Sequence, residues 1–143
     1  MTASSRTSRI VYASLVTAAL TLCAGAALAK DVSVKLTGAE ETPPVTTTAT
    51  ATGKFSIADD GSVTGALKAS GIDGIAAHIH VGAPGEKGPP IITLTKEADG
   101  SWTVPAGSKL TNEQIASFKS GNLYVNIHSA DHKPGEIRAQ LKP

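Results

Sequence analysis

The four histidines of the 143-residue chain lie in two short segments. His78 and His80 are separated by one residue in AAHIHVGAPG, and His128 and His132 belong to NIHSADHKPGEIRAQL. Neutral imidazole nitrogens bind copper, zinc, iron and nickel. Four such side chains in two segments therefore indicate a metal site. Histidines that lie on the surface or in a polar network without any metal are the alternative.

Alternating apolar residues predict that these histidines face away from the protein core. Successive side chains of a β-strand point to opposite faces. Ile79 separates His78 from His80, so both imidazoles share the face opposite this apolar residue. The later strand places His128 in the same way. If the two strands are neighbours, the three imidazoles meet on one face and form a metal site.

His132 lies in the turn that follows His128. A turn allows its imidazole to reach the same ion as a fourth ligand, or to act beside it as an outer-sphere group or proton relay. Asn126 and Gln140 share the predicted polar face and are candidates to orient the ligand imidazoles. Glu41 follows Glu40 directly, and this pair is expected to lie on the solvated surface.

The fold predicted for the exported part of the chain is all-β, an antiparallel Greek-key-like sandwich or barrel with one short crossover helix. Short alternating segments separated by Gly, Pro, Asp and Asn favour this architecture. The predicted strands lie around 32–36, 55–57, 63–67, 75–81, 91–95, 123–127 and 137–141. The threonine-rich run 46–52 is predicted to be a strand or edge. The helix is expected over 110–121, with Thr111 and Gln114 forming a capping box.

The N-terminal residues have the pattern of a secretory signal peptide. An uncharged apolar run, residues 10–25, precedes Ala27-Leu28-Ala29, which fits the small-residue pattern of a cleavage site. Residues 1–29 are therefore predicted to be the signal, and residues 30–143 a single periplasmic or secreted domain. A membrane anchor is the alternative, but the run is short for a bilayer span.

Composition excludes several kinds of function for the exported domain. The chain's one cysteine, Cys23, lies within the predicted signal, so disulfides and zinc–thiolate sites are excluded. Loss of Arg6 and Arg9 with the signal leaves eleven of the 13 basic residues beside 12 acidic ones. A nearly neutral domain with few aromatic residues argues against a nucleic-acid partner, and no membrane association is expected after cleavage.

Three segments resemble the CHRD domain, which is common in exported bacterial proteins. They are LTGAEETPPV from residue 36, AAHIHVGAPGEKGPPIITL from residue 76 and GNLYVNIHSADHKPGEIRAQL from residue 121. Their order and spacing cover nearly all of the exported part. The resemblance implies an all-β sandwich, and it does not imply the growth-factor binding of chordin, the multidomain animal protein after which the domain is named.

A shorter resemblance concerns chemistry. The segments HIH and LYVNIHSAD are similar to the copper-binding strands of Cu/Zn superoxide dismutases. That likeness implies copper ligands at His78, His80 and His128, superoxide as a small anionic substrate, and Arg138 as the catalytic arginine that guides it. The chain has no counterpart of their zinc-binding loop, bridging histidine or disulfide. One redox ion, copper or iron rather than zinc, is therefore expected. A metal-binding or delivery protein without turnover and a structural β module are the alternative functions.

Overall fold

The computed structural model describes residues 28–143, which form nine β-strands, one α-helix and a single 3₁₀ turn. The predicted signal peptide lies outside these residues, except for its last two positions. The strands are β1 (Ala29–Thr37), β2 (Thr50–Ala58), β3 (Val63–Ser70), β4 (Gly74–Val81), β5 (Pro90–Thr93), β6 (Thr95–Lys96), β7 (Trp102–Thr103), β8 (Leu123–Ser129) and β9 (Ile137–Leu141). The 3₁₀ turn is Gly38–Glu40, and the α-helix, α1, is Asn112–Lys119. None of the described helices is both long and apolar enough to cross a bilayer.

All nine strands belong to one antiparallel sheet in the order β5-β4-β8-β9-β1-β2-β3-β7-β6. The two ends of this sheet lie close together. Lys96 of β6, at one end, donates a hydrogen bond of 2.8 Å to the Gly74 carbonyl of β4, which is the second strand from the other end. The sheet is therefore a nearly closed barrel. This confirms the predicted antiparallel all-β class with one short helix.

Alternate residues of the long strands fill the barrel interior, as the sequence predicts. Val32, Val34 and Leu36 of β1 are buried, whereas the residues between them are exposed. Phe55 and Leu67 bring the β2–β3 hairpin into the same core. Burial of such side chains stabilises the fold by roughly 1.5–3 kcal/mol each.

The helix α1 connects β7 to β8, which lie far apart in the sheet order. Thr111 accepts a hydrogen bond from the Gln114 amide, and the Gln114 side chain accepts one from the Thr111 amide, so the predicted capping box is confirmed. Phe118 of this helix is buried in the hydrophobic core. Gly121 follows with a positive φ of 75°, a conformation that favours glycine after a helix.

Three details of the predicted strands are wrong. The threonine-rich run enters strand β2 only at Thr50, and the residues before it form a loop. Ile75 is exposed at 57% because the pairing register of β4 shifts between Gly74 and Ala76. The single strand expected over 91–95 is two strands, β5 and β6, which pair with β4 and β7 respectively.

Candidate metal centre

The polar side chains of β4, β8 and β9 lie on the outside of the barrel and are nevertheless covered. Strand β8 lies between β4 and β9 in the sheet, and all seven of its residues are buried. The register places His78 opposite Asn126, and Asn126 opposite Arg138 on the other side. Backbone carbonyls from the connections around residues 82–89 and 130–136 contact this face, and the Thr42 side chain contacts it from the 41–47 segment. The site is therefore a layer between the sheet and its loops.

Three of the four predicted ligands lie together in this layer. Nitrogen atoms of His78, His80 and His128, one from each ring, lie within 4.8 Å of one another. The shortest of these distances joins His78 Nδ1 to His128 Nε2, at 3.0 Å. This separation is similar to that between two donors bound to one ion at about 2.0–2.1 Å each. The closest pair of imidazoles therefore has the spacing of two donors that share a cation, and all three lie near enough to one another to hold one ion.

Backbone carbonyls select the nitrogen that two of these rings present. His128 Nδ1 lies 2.7 Å from the Lys133 carbonyl, and His80 Nδ1 lies 2.9 Å from the Gly88 carbonyl. A carbonyl oxygen only accepts, so each Nδ1 carries the proton and each Nε2 carries the lone pair. Hydrogen bonds of this kind fix the tautomer of metal-binding histidines.

Asn126 is the closest polar neighbour of the His80 lone pair. Its Oδ1 lies 3.0 Å from His80 Nε2, and its side chain is 1% exposed. A neutral imidazole has one N–H, so it cannot donate to Gly88 and Asn126 together. Rotation of the amide by 180° presents NH₂ to Nε2 instead. The predicted contact of Asn126 with a ligand imidazole is thus present, but it is made at Nε2, so Asn126 must give up this hydrogen bond when Nε2 binds an ion.

Burial favours the neutral form of two of the histidines. It lowers the pKa of His78 and of His80 below the ordinary histidine value, and the neighbouring histidines and Arg138 add smaller effects in the same direction. Two hydrogen bonds oppose this at His80, where the Gly88 carbonyl raises the pKa. At neutral pH these rings are therefore uncharged, and each has one ring-nitrogen lone pair that can bind a cation in place of a present hydrogen bond.

The structure leaves His132 apart from the other three histidines. The converging group of nitrogen atoms among the described residues contains none from His132. Its amide donates to Ser129 Oγ at 3.2 Å, and its carbonyl accepts from the Gly135 amide at 3.0 Å. His132 therefore shapes the turn that carries the Lys133 carbonyl to His128.

Arg138 lies beside the site but does not face solvent. Its side chain is 1% exposed, and its two terminal nitrogens donate to the carbonyls of Glu86 at 2.7 Å and Ala83 at 2.9 Å. The guanidinium also lies 3.5 Å from the centre of the Tyr124 ring. Its donors are occupied by backbone, which gives no support to the predicted role of guiding an anion to the metal.

Two other side chains differ from their expected roles. Gln140 contacts no imidazole and instead donates to the carbonyls of Gly82 and Gly121 at 3.0 and 2.9 Å. Glu41, expected at the solvated surface, is 7% exposed, and its Oε1 is buried without a hydrogen bond. Burial raises the pKa of Glu41, against smaller opposing effects from Thr42 and Asn126. Neither change had a signal in the sequence, because both arise from loop packing.

A comparison with family models finds the CHRD domain over residues 32–141. The chain belongs to the CHRD domain family. The matched region of this CHRD domain contains every strand from β2 to β9, most of β1 and all three converging histidines. Searches of curated proteins and of solved structures each find no significant match. The likeness to copper-binding superoxide dismutases therefore stays a prediction from short motifs.

Proposed function

We propose that this CHRD domain binds one transition-metal ion through His78, His80 and His128. The supporting observation is the convergence of one nitrogen from each ring within 4.8 Å. Two of these rings already have the tautomer that directs a lone pair from Nε2. His132 is not included, because it lies outside the converging group.

The donor set suits copper or iron. All three donors are neutral imidazoles, which bind copper, iron, zinc and nickel, and no carboxylate of the described residues joins the group. Three protein ligands leave further coordination positions for a small molecule, as in catalytic metal sites. His78 is half-buried rather than enclosed, so the site has a solvent-facing side.

Superoxide is the substrate that we propose for this site. Dismutation converts two superoxide anions and two protons into dioxygen and hydrogen peroxide, and the bound metal would supply the required alternation between two oxidation states. Zinc has no redox chemistry, so it cannot serve. The specific observation in favour is the half-buried His78 beside the buried His80, which gives a small anion an approach. The signal-like residues 1–29 fit export, since domains of this family are generally extracellular.

Metal analysis of the purified protein and of four histidine variants tests the binding proposal. We expect the wild-type protein to bind about one ion per chain. His78→Ala, His80→Ala and His128→Ala should each lose more affinity than the roughly 10–100-fold that is typical when a residue outside the ligand set is changed. His132→Ala is the matched control and should retain the ion. Unchanged metal content in the first three variants would contradict the proposal.

A superoxide assay on the metal-loaded protein separates turnover from binding alone. Copper-loaded and iron-loaded protein should accelerate the decay of superoxide, and the His78→Ala protein should not. Retention of stoichiometric metal without any acceleration would identify a binding or delivery protein instead.

A further inference from the structure

We infer that Arg138 and Tyr124 are positioning residues that hold His80 in its ligand geometry by clamping the 82–89 loop (residues 82–89) over the sheet. This inference rests on the metal site proposed above. The chain of contacts runs from the Arg138 guanidinium to the loop backbone, and from the loop to His80 Nδ1.

Arg138 holds the loop through hydrogen bonds from its guanidinium to the loop backbone, and not through an ion pair. It donates to the carbonyls of Ala83 and Glu86, which lie five and two residues before Gly88, the residue that contacts His80. No carboxylate of the described residues forms a salt bridge with it. Gln140 accepts from Arg138 at 2.8 Å and donates to the Gly82 carbonyl at the start of the loop. The guanidinium donates to the two carbonyls from two separate nitrogens in a fixed plane, whereas a lysine ammonium has all its donors on one nitrogen.

Tyr124 connects the same arginine to the ligand ring. The Arg138 guanidinium lies 3.5 Å from the Tyr124 ring centre, and the His80 ring stacks on Tyr124 with centres 4.6 Å apart and planes 2° from parallel. Tyr124 belongs to β8, while the other two belong to β9 and β4 on either side of it. The stack therefore sets the plane of the His80 ring from one side of the metal site.

The end of the loop completes the arrangement at Gly88. Its carbonyl lies 2.9 Å from His80 Nδ1, and its amide donates to the Tyr124 hydroxyl at 3.2 Å. A Cβ atom at this position would lie 1.5 Å from the Val81 carbonyl oxygen, so only glycine allows this approach. The backbone of this one residue thus contacts both Tyr124, whose ring stacks on His80, and His80 itself.

The physical consequence is that His80 is preorganised to bind a metal ion. The Gly88 carbonyl fixes the tautomer of His80, and the Tyr124 face fixes its tilt, so little ordering of this side chain remains when an ion binds. Without Arg138, the Glu86 carbonyl loses its donor and the Ala83 carbonyl keeps only the Glu86 amide, so the middle of the loop is held less firmly over His80.

Nuclear magnetic resonance of the metal-free protein gives the first test. The wild-type His80 Nδ1–H signal should exchange slowly with water, because the Gly88 carbonyl accepts it in a covered site. Arg138→Lys and Tyr124→Leu should broaden the signal or speed its exchange. Lys119→Met removes a positive charge from the exposed ion pair with Asp59 and should leave it unchanged. An unchanged signal in folded Arg138→Lys would overturn the inference.

Affinity for Cu²⁺ alone, measured by competition with a chelator, gives the second test. Arg138→Lys and Tyr124→Leu should weaken binding by about 10–100-fold with the stoichiometry retained. Tyr124→Phe retains the stacking ring but removes the hydroxyl that accepts from the Gly88 amide, so it should weaken binding less than Tyr124→Leu does. Arg138→Met distinguishes the loop clamp from simple repulsion between the arginine charge and the bound cation. Tighter Cu²⁺ binding in Arg138→Met, together with wild-type affinity in Arg138→Lys, would overturn the inference.

The two tests separate failure of the clamp from failure of the metal site. A wild-type protein that binds no Cu²⁺ would refute the proposed function, while the His80 signal of the metal-free protein would still decide the loop contact. Should the Arg138 variants not fold, the Tyr124→Leu and Tyr124→Phe pair decides the inference alone. Wild-type affinity in Tyr124→Leu would then contradict it.

Discussion

The outer surface of the barrel differs between the β1–β2–β3 region and the β4–β8–β9 region. Both regions alternate polar and apolar residues, and both turn the apolar ones inward. Outward residues of the first region, such as Lys35, Lys54 and Lys68, are exposed. Outward residues of the second, such as Asn126 and Arg138, are buried. The difference comes from the connections, because a tight turn joins β2 to β3, whereas loops fold back over the second region.

This comparison explains why one polar face carries a candidate site. Loops that cover polar side chains must satisfy them, because an unpaired buried polar group costs about 1–3 kcal/mol. Most of the groups beneath these loops are satisfied by backbone carbonyls, including those of Ala83, Glu86, Gly88 and Lys133. The same contacts that compensate burial orient the imidazoles. In the exposed region, outward side chains such as Lys35, Lys54 and Lys68 reach solvent, and no loop covers them.

The largest expected effect on stability and metal binding comes from a substitution at Gly88 that lifts the 82–89 loop off the β4–β8–β9 region. Gly88→Ala places a Cβ about where the Val81 carbonyl lies, so the loop must move away. We expect a fall of about 3 kcal/mol or more in the free energy of unfolding and loss of metal binding, measured by urea denaturation and elemental analysis. Gly85→Ala is the control, because nothing lies within 4 Å of its Cβ and only its φ of +79° is unfavourable. Wild-type metal content in Gly88→Ala would contradict this account of the loop.

Truncation of one outward polar residue in each region compares them directly. Asn126→Ala leaves His80 and the surrounding backbone without a partner in a buried layer, so we expect a loss of about 2–3 kcal/mol in the free energy of unfolding. Lys54→Ala on the exposed region should change it by less than about 0.5 kcal/mol. Equal effects in the two variants, measured by chemical denaturation, would remove the distinction between the regions.

A smaller, pH-dependent effect is expected at Glu41. Burial raises its pKa above the ordinary value of 4.5, so the folded state binds more protons than the unfolded state between 4.5 and the raised pKa. The contribution of Glu41 is therefore fully present below pH 4.5 and is lost as the pH rises through the folded pKa. Glu41→Gln removes this loss and should stabilise the protein by about 1 kcal/mol at neutral pH, with the gain vanishing below pH 4.5.

Thermal denaturation at several pH values measures this effect. Glu40→Gln is the matched control, since Glu40 is the exposed neighbour of Glu41 and should alter stability by less than about 0.5 kcal/mol at any pH. A Glu41→Gln gain that is independent of pH would show that the burial of the charge is not the cause.

Local patterns were sufficient to predict much of the fold and the centre of the site. Alternation around Ile79 and Ile127 placed three histidines on one face, and the register of β4 with β8 brings them together. Thr111 and Gln114 identified the start of the helix, because a capping box is encoded within four residues. Such features depend only on neighbours in the chain and on the period of a strand.

Other features depended on contacts between distant residues. The burial of Glu41 and the occupied donors of Arg138 result from loops that approach from other parts of the sequence. Nothing adjacent to Arg138 distinguishes an arginine that meets an anion from one that meets carbonyls. The exposure of Ile75 similarly follows from an irregular pairing of β4, which alternation alone does not reveal.

The reliance on main-chain oxygens has a consequence for variation among chains of this type. The carbonyls that orient the site belong to residues such as Ala83, Glu86 and Lys133, and the side chains of Glu86 and Lys133 point to solvent. Replacing these residues would change the charge and size of the side chains around the site, while His78, His80 and His128 would keep their orientation. Selectivity for an incoming molecule can thus diverge independently of the ion that is held.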